Sequence, residues 1–119
     1  MKVISLLSAL VLLAGCSDAV TNQYATYAEA QQDNLFERGW LPDILPESTI
    51  DIEVVNNLDN NTSHGGFLIE ESGLQAFLQQ VKPTDSDNQY RFVEGDHVWT
   101  FTVNNDGLVT YKLGDLLAG

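Results

Sequence analysis

Residues 50–69 read IDIEVVNNLDNNTSHGGFLI, two apolar runs joined by a polar turn. Ile50, Ile52 and Val54 alternate with acidic residues, which is typical of a strand with one solvent-facing side. A two-residue turn at Asp59–Asn60 predicts three cross-strand pairs: Ile50 with Ile69, Ile52 with Phe67 and Val54 with Gly65. This register puts the large apolar side chains of both strands on one face, and a slip of one residue would separate them. We therefore expect an antiparallel hairpin.

A second antiparallel unit is expected in the last third of the chain. Gly95–Asp96 fits a tight turn, and residues 105–107 (Asn-Asp-Gly) fit a three-residue loop with glycine at the positive-φ position. These turns predict five apolar pairs: Tyr90 with Phe101, Phe92 with Trp99, Phe101 with Tyr111, Trp99 with Leu113 and Val103 with Val109. A two-residue turn at Asp106–Gly107 would break this pattern, so we expect a three-stranded meander with the longer loop.

Two amphipathic helices are predicted, one before each β unit. The first is expected from Tyr27 to Arg38 and the second from Gly73 to Val81. Each begins at a capping-box pattern, within residues 26–29 and 72–75 respectively. The order is helix, hairpin, helix and meander. We therefore expect an α+β fold, with one antiparallel sheet of about five strands and two helices on one face.

The segment from Gly39 to Ser48, here called the strap, connects the first helix to the hairpin. It contains two prolines four residues apart, which exclude an ordinary helix across it. Its large apolar side chains are Trp40, Leu41, Ile44 and Leu45. The favoured interpretation is a rigid segment packed across the edge of the core. The functional alternative is an exposed patch that docks a partner protein.

The first 15 residues have the layout of a secretory signal peptide, because Lys2 precedes an apolar run and small residues. That run is about 11 residues long, too short for a spanning helix of about 20. Residues 13–16, Leu-Ala-Gly-Cys, resemble the lipobox of bacterial lipoproteins. The resemblance implies cleavage before Cys16, a diacylglyceryl thioether on its sulfur and an acylated amino terminus. The alternative is an ordinary secretory peptide in which Cys16 is incidental.

Cys16 is the only cysteine, so the domain can form no internal disulfide and must be stabilised by its core. The expected organisation is a signal peptide over residues 1–15, a lipidated anchor and short tether over 16–23, and one domain over 24–119. The lipoprotein resemblance implies contact with the lipid bilayer through acyl chains on Cys16. Ser17 directly after the anchor favours sorting to the outer membrane.

The charge balance limits the class of partner. The chain has 17 acidic residues, and without Lys2 only four basic ones, a formal charge near −13. Such a surface repels nucleic acid and anionic head groups, so neither is an expected ligand. A basic protein is a possible partner.

Residues with catalytic or metal-binding chemistry are sparse. No nucleophile motif is present, and His64 and His97 are the only histidines, without zinc spacing; both are expected to face solvent on strands. Residues 59, 61, 63 and 70 have the spacing of a calcium loop, but His64 occupies the position that requires glycine. We therefore expect no enzyme activity, no metal and no cofactor.

Residues 24–30, 36–42 and 45–48 resemble a group of uncharacterised bacterial proteins, many with signal peptides, that share the motif F-x-x-G-W-L-P-x-x-L-P. The resemblance covers about half of residues 24–119, from their beginning, and implies no particular activity. Two functions are therefore weighed. The first is an interaction module that docks through the strap (Trp40, Leu41, Ile44, Leu45) or the polar sheet face. The second is an inhibitor of a basic envelope-attacking hydrolase such as lysozyme, using Asp85, Asp87 and Asp96 against its cationic cleft.

Overall fold

A seven-stranded antiparallel sheet is the main feature of the computed structural model, which describes residues 19–115. The strands are β1 (Ala19–Thr26), β2 (Ile50–Asn57), β3 (Thr62–Leu68), β4 (Lys82–Pro83), β5 (Gln89–Glu94), β6 (His97–Val103) and β7 (Leu108–Asp115). The helices are α1 (Tyr27–Gln32) and α2 (Glu71–Leu78). Across the sheet the strand order is β1-β2-β3-β7-β6-β5-β4. The predicted signal peptide, Cys16 and the last four residues lie outside the described residues.

The fold is mostly β, so the expected α+β class with about five strands and two covering helices is wrong. The difference comes from the two edge strands. β1 includes residues 19–23, which were expected to be a tether, and it pairs with β2 from Ala19–Asn57 to Thr26–Ile50. β4 lies where the second helix was expected to end. Pro83 is tolerated there because an edge strand does not need every backbone N–H for pairing.

The first hairpin has the predicted register at its turn end only. Val54 pairs with Gly65 as expected, but Ile50 pairs with Leu68 rather than Ile69. A bulge between residues 50 and 53 causes the shift, and Asp51 within it has φ +51°. The predicted two-residue turn is also too short, because Asn57–Thr62 is the last pair before the loop.

The meander is confirmed in every predicted pair. Tyr90 lies opposite Phe101, and Phe101 in turn lies opposite Tyr111. The loop at residues 105–107 has the expected left-handed backbone, with φ +81° at Gly107. The alternation of apolar residues along the three strands is therefore sufficient to predict their register.

Helix α1 is shorter than predicted and ends at Gln32 rather than Arg38. Asn34 adopts φ +58°, and the Leu35 N–H donates to the Ala30 carbonyl at 3.0 Å. This is the hydrogen bond of a Schellman motif, in which buried Leu35 and Ala30 provide the accompanying apolar contact. The left-handed residue that stops the helix is thus Asn34, four residues before the predicted end at Arg38.

The two predicted capping boxes have different outcomes. The Thr26 hydroxyl accepts from the Glu29 N–H at 3.2 Å, so the first N-cap is confirmed. Helix α2 begins earlier, with Glu70 as an N-cap that makes no side-chain cap bond, so the predicted cap at Ser72 is wrong. α2 also ends before the predicted Val81.

The sheet buries only one of its faces. Side chains from that face join buried residues of both helices and the strap in one cluster. At its centre, the Phe77 ring of α2 lies 6.0 Å from that of Phe67 and 5.1 Å from that of Phe101. The other side, here called the open face, consists of the alternate side chains of the strands, and none of them is buried. Within residues 19–115, neither helix has the length or apolar character needed to cross a bilayer.

Candidate functional site

The strap belongs to the core, which corrects the predicted docking patch. Leu41 is fully buried and Leu45 is 5% exposed. Trp40 and Ile44 are half-buried and pack against the same core cluster. The indole N–H of Trp99 donates to the Trp40 carbonyl at 3.0 Å. Since two of the four residues are unavailable to a partner, they cannot form a common docking surface.

Hydrogen bonds also fix the strap in place. The Tyr27 hydroxyl donates to the Asp43 carboxylate at 2.7 Å, and the Thr49 hydroxyl donates to the Pro46 carbonyl at 2.6 Å. Burial and this bond to Asp43 raise the pKa of Tyr27 to about 12. The phenol therefore keeps its proton at neutral pH and remains a donor to the strap.

The three predicted acidic contact residues do not form one patch. Asp85 and Asp87 lie in the loop before β5, whereas Asp96 lies in the turn after it. All three are exposed. The six residues of β5 separate the two groups by about 20 Å. A single cationic cleft would have to reach both ends of this strand.

The predicted calcium spacing does not form a site. Ser63 lies buried in β3, where its hydroxyl donates to Asn56 at 2.7 Å and lies 2.7 Å from the Tyr111 hydroxyl. Burial raises the pKa of Tyr111, which keeps this phenol neutral. Between residues 19 and 115, no three His, Cys, Asp or Glu side chains cluster closely enough to hold a metal ion. His64 and His97 are exposed strand residues, as predicted.

The open face carries a row of basic side chains that the sequence analysis missed. His64 on β3 pairs with Lys112 on β7, which pairs with Thr100 on β6. Thr100 pairs with Arg91 on β5, which pairs with Lys82 on β4. Directly opposed residues share a face of the sheet, so these side chains form one line across five strands. We call His64, Lys112, Arg91 and Lys82 the cationic row.

The cationic row contains most of the positive charge of the domain. Apart from Lys2, the basic residues are Arg38, Lys82, Arg91 and Lys112. Arg38 forms an ion pair with Asp33 at 3.1 Å, the only ion pair found over residues 19–115. The three remaining basic residues all lie in the row. On the open face, Glu53 of β2 accepts from Gln23 at 3.4 Å, and exposed Asp51 lies in the neighbouring bulge.

One end of the row borders a groove. It lies where the short β4 leaves the outer side of β5 uncovered, and its volume is about 650 Å³. Lys82 and Arg91 line it together with Thr84, Asp85 and the exposed Val93. Asp85 therefore contributes a negative charge at this end. The centre of the row, at Thr100, has no acidic neighbour on the adjacent strands.

This fold and surface define a small, mostly β domain with one open sheet face. Residues 18–68 match the family model of the YbbD head domain, a segment that includes β1, α1, the strap, β2 and β3. No curated protein and no solved structure matches the chain significantly. The family match supports the coarser functional expectation, a small envelope-associated protein domain.

Proposed function

We propose that the protein is a lipid-anchored envelope lipoprotein that acts as a non-catalytic protein-interaction module, docking partners on its open face. The observation that carries this proposal is the one-sided burial of the sheet. On one face of the seven-stranded sheet, none of the described side chains is buried. The side chains of the other face form the core. A broad, rigid surface of this kind fits a protein partner better than a small substrate, which needs a concave pocket.

The proposed anchor is Cys16, with acyl chains in the bilayer and the outer membrane as the favoured location. β1 begins at Ala19, so two residues separate Cys16 from the edge of the sheet. Fully extended, the three residue steps from Cys16 to Ala19 span only about 10 Å. This is far shorter than the expected tether over residues 16–23, and it would hold the β1 edge beside the membrane.

Cys16→Ser is expected to abolish acylation, because the hydroxyl cannot form the thioether. Labelled palmitate should be incorporated by the wild-type protein and not by this variant. Ser17→Ala provides a control that leaves the sulfur intact. Equal labelling of the Cys16→Ser variant and the wild type would contradict the proposed anchor.

Docking on the open face predicts position-dependent crosslinking in the native envelope. A photoreactive side chain at Thr100, at the centre of the cationic row on the open face, should form adducts with a defined partner. The same group at Gln75, exposed on α2, should not form that adduct. Equal adducts from both sites, or none from Thr100, would refute docking on this face.

The inhibitor alternative has weaker support. It requires Asp85, Asp87 and Asp96 to act on one cationic cleft, and β5 separates them. A basic protein would find more acidic side chains around α1 and the strap, where Glu29, Glu37 and Glu47 are exposed. We therefore retain the interaction module as the proposed function.

A further inference from the structure

We infer that the cationic row on the open face binds a short acidic segment of a partner protein. This inference deepens the proposed docking function and rests on it. Positive charge is concentrated at one place in an otherwise acidic chain. The chain has 17 acidic and five basic residues, yet three of those basic residues and a histidine share one line across the sheet.

The row also places basic residues directly opposite one another on neighbouring strands. Lys82 lies directly opposite Arg91, and Lys112 directly opposite His64. Like charges in directly opposed positions destabilise a sheet. Among residues 19–115, Lys82, Arg91 and Lys112 form no ion pair that would offset this repulsion. A local arrangement that disfavours folding without compensation is expected at a functional surface.

The dimensions of the row indicate the size of the ligand. Neighbouring strands lie about 4.8 Å apart, so the row from Lys82 to His64 is about 19 Å long. In an extended peptide, alternate side chains point to the same side and repeat at about 6.8 Å. Four acidic residues at alternate positions therefore span about 20 Å, which matches the length of the row.

The surroundings of the row favour a peptide over other anions. Thr100 lies within the row, and Thr102 and Thr110 lie beside it as hydroxyl donors and acceptors. Every described Phe, Tyr and Trp side chain that lies on a strand is on the core face, so nucleobases would find none of these large rings on the open face. The formal charge of −12 also repels large anionic surfaces, and this repulsion is smaller for a short segment.

The inference is tested with a synthetic eight-residue peptide of alternating glutamate and serine, added to the full protein. The expected result is saturable binding that weakens as salt rises, with NMR shifts centred on Thr100 and Lys112. Lys112→Gln should weaken binding several-fold, and Arg91→Gln combined with it about tenfold. Arg38→Gln makes the same charge change as Lys112→Gln but lies outside the row, so it should leave the affinity nearly unchanged.

Thermal unfolding of the same variants separates binding from folding. Because the row opposes like charges, the Arg91→Gln/Lys112→Gln protein should unfold at the same temperature as the wild type or slightly higher. Equal loss of binding in Arg38→Gln and Lys112→Gln would overturn the inference. So would the absence of peptide binding, or row-dependent binding only to vesicles that contain anionic phospholipid.

Crosslinking distinguishes this inference from the proposed function. If Thr100 adducts in the envelope are unaffected by the paired charge substitution, docking on the open face stands and the acidic partner is excluded. If Thr100 gives no adduct in the wild-type protein, the proposed function fails and the inference fails with it. Adducts lost only in the charge variants would support both.

Discussion

Gly65→Ala is expected to destabilise the domain by about 3 kcal/mol or more. A Cβ at this position would lie 2.0 Å from the carbonyl oxygen of Glu53 and 3.3 Å from the Tyr111 ring. The first contact is with backbone, so no side-chain rotation relieves it. Relief would require β2 and β3 to separate at the point where Val54 pairs with Gly65.

The free energy of unfolding of the wild-type and variant proteins is measured in urea. The two values are compared using the same dependence of that free energy on urea concentration. Gly114→Ala is the matched control, because a Cβ there meets nothing within 4 Å. It should change the free energy of unfolding by less than about 0.5 kcal/mol. If the two variants were equally stable, β2 and β3 could not approach each other as closely as described.

Leu41→Ala is expected to cost about 3 kcal/mol, because the side chain is fully buried and its removal leaves a cavity. The neighbouring backbone has little freedom to collapse into that cavity. The Trp40 carbonyl is held by the Trp99 indole, and the strap is bonded to Tyr27 through Asp43. The expected loss therefore lies within the usual range for buried leucines.

Ile44→Ala provides the comparison within the same segment. Ile44 is only half-buried, so its truncation should cost about 1 kcal/mol. The two variants are compared by the same unfolding measurement and by crosslinking from Thr100. A large stability loss at Leu41 with unchanged open-face adducts is expected. If Leu41→Ala were as stable as the wild type, the conclusion that the strap is part of the core would be wrong.

Part of the cationic row could have been predicted from the sequence. The meander register pairs Phe92 with Trp99, and the same register places Arg91 opposite Thr100 and Lys112 beyond it. The apolar residues of each meander strand face the core, so the residues between them, including Arg91 and Lys112, must lie on the open face. The ends of the row could not be predicted. They depend on β3 pairing with β7 and on the two-residue strand β4, neither of which has a local signal.

The sequence alone determined the meander and its register, and the register at the turn end of the first hairpin, because apolar alternation is a local property of each strand. It did not determine β1, whose polar residues become a strand only when β2 supplies hydrogen-bond partners. Nor did it decide that Leu41 and Leu45 are core residues or that His64 joins Lys112 in one row. Both depend on contacts between segments distant in the chain. Such contacts form only when the sheet and its core assemble together.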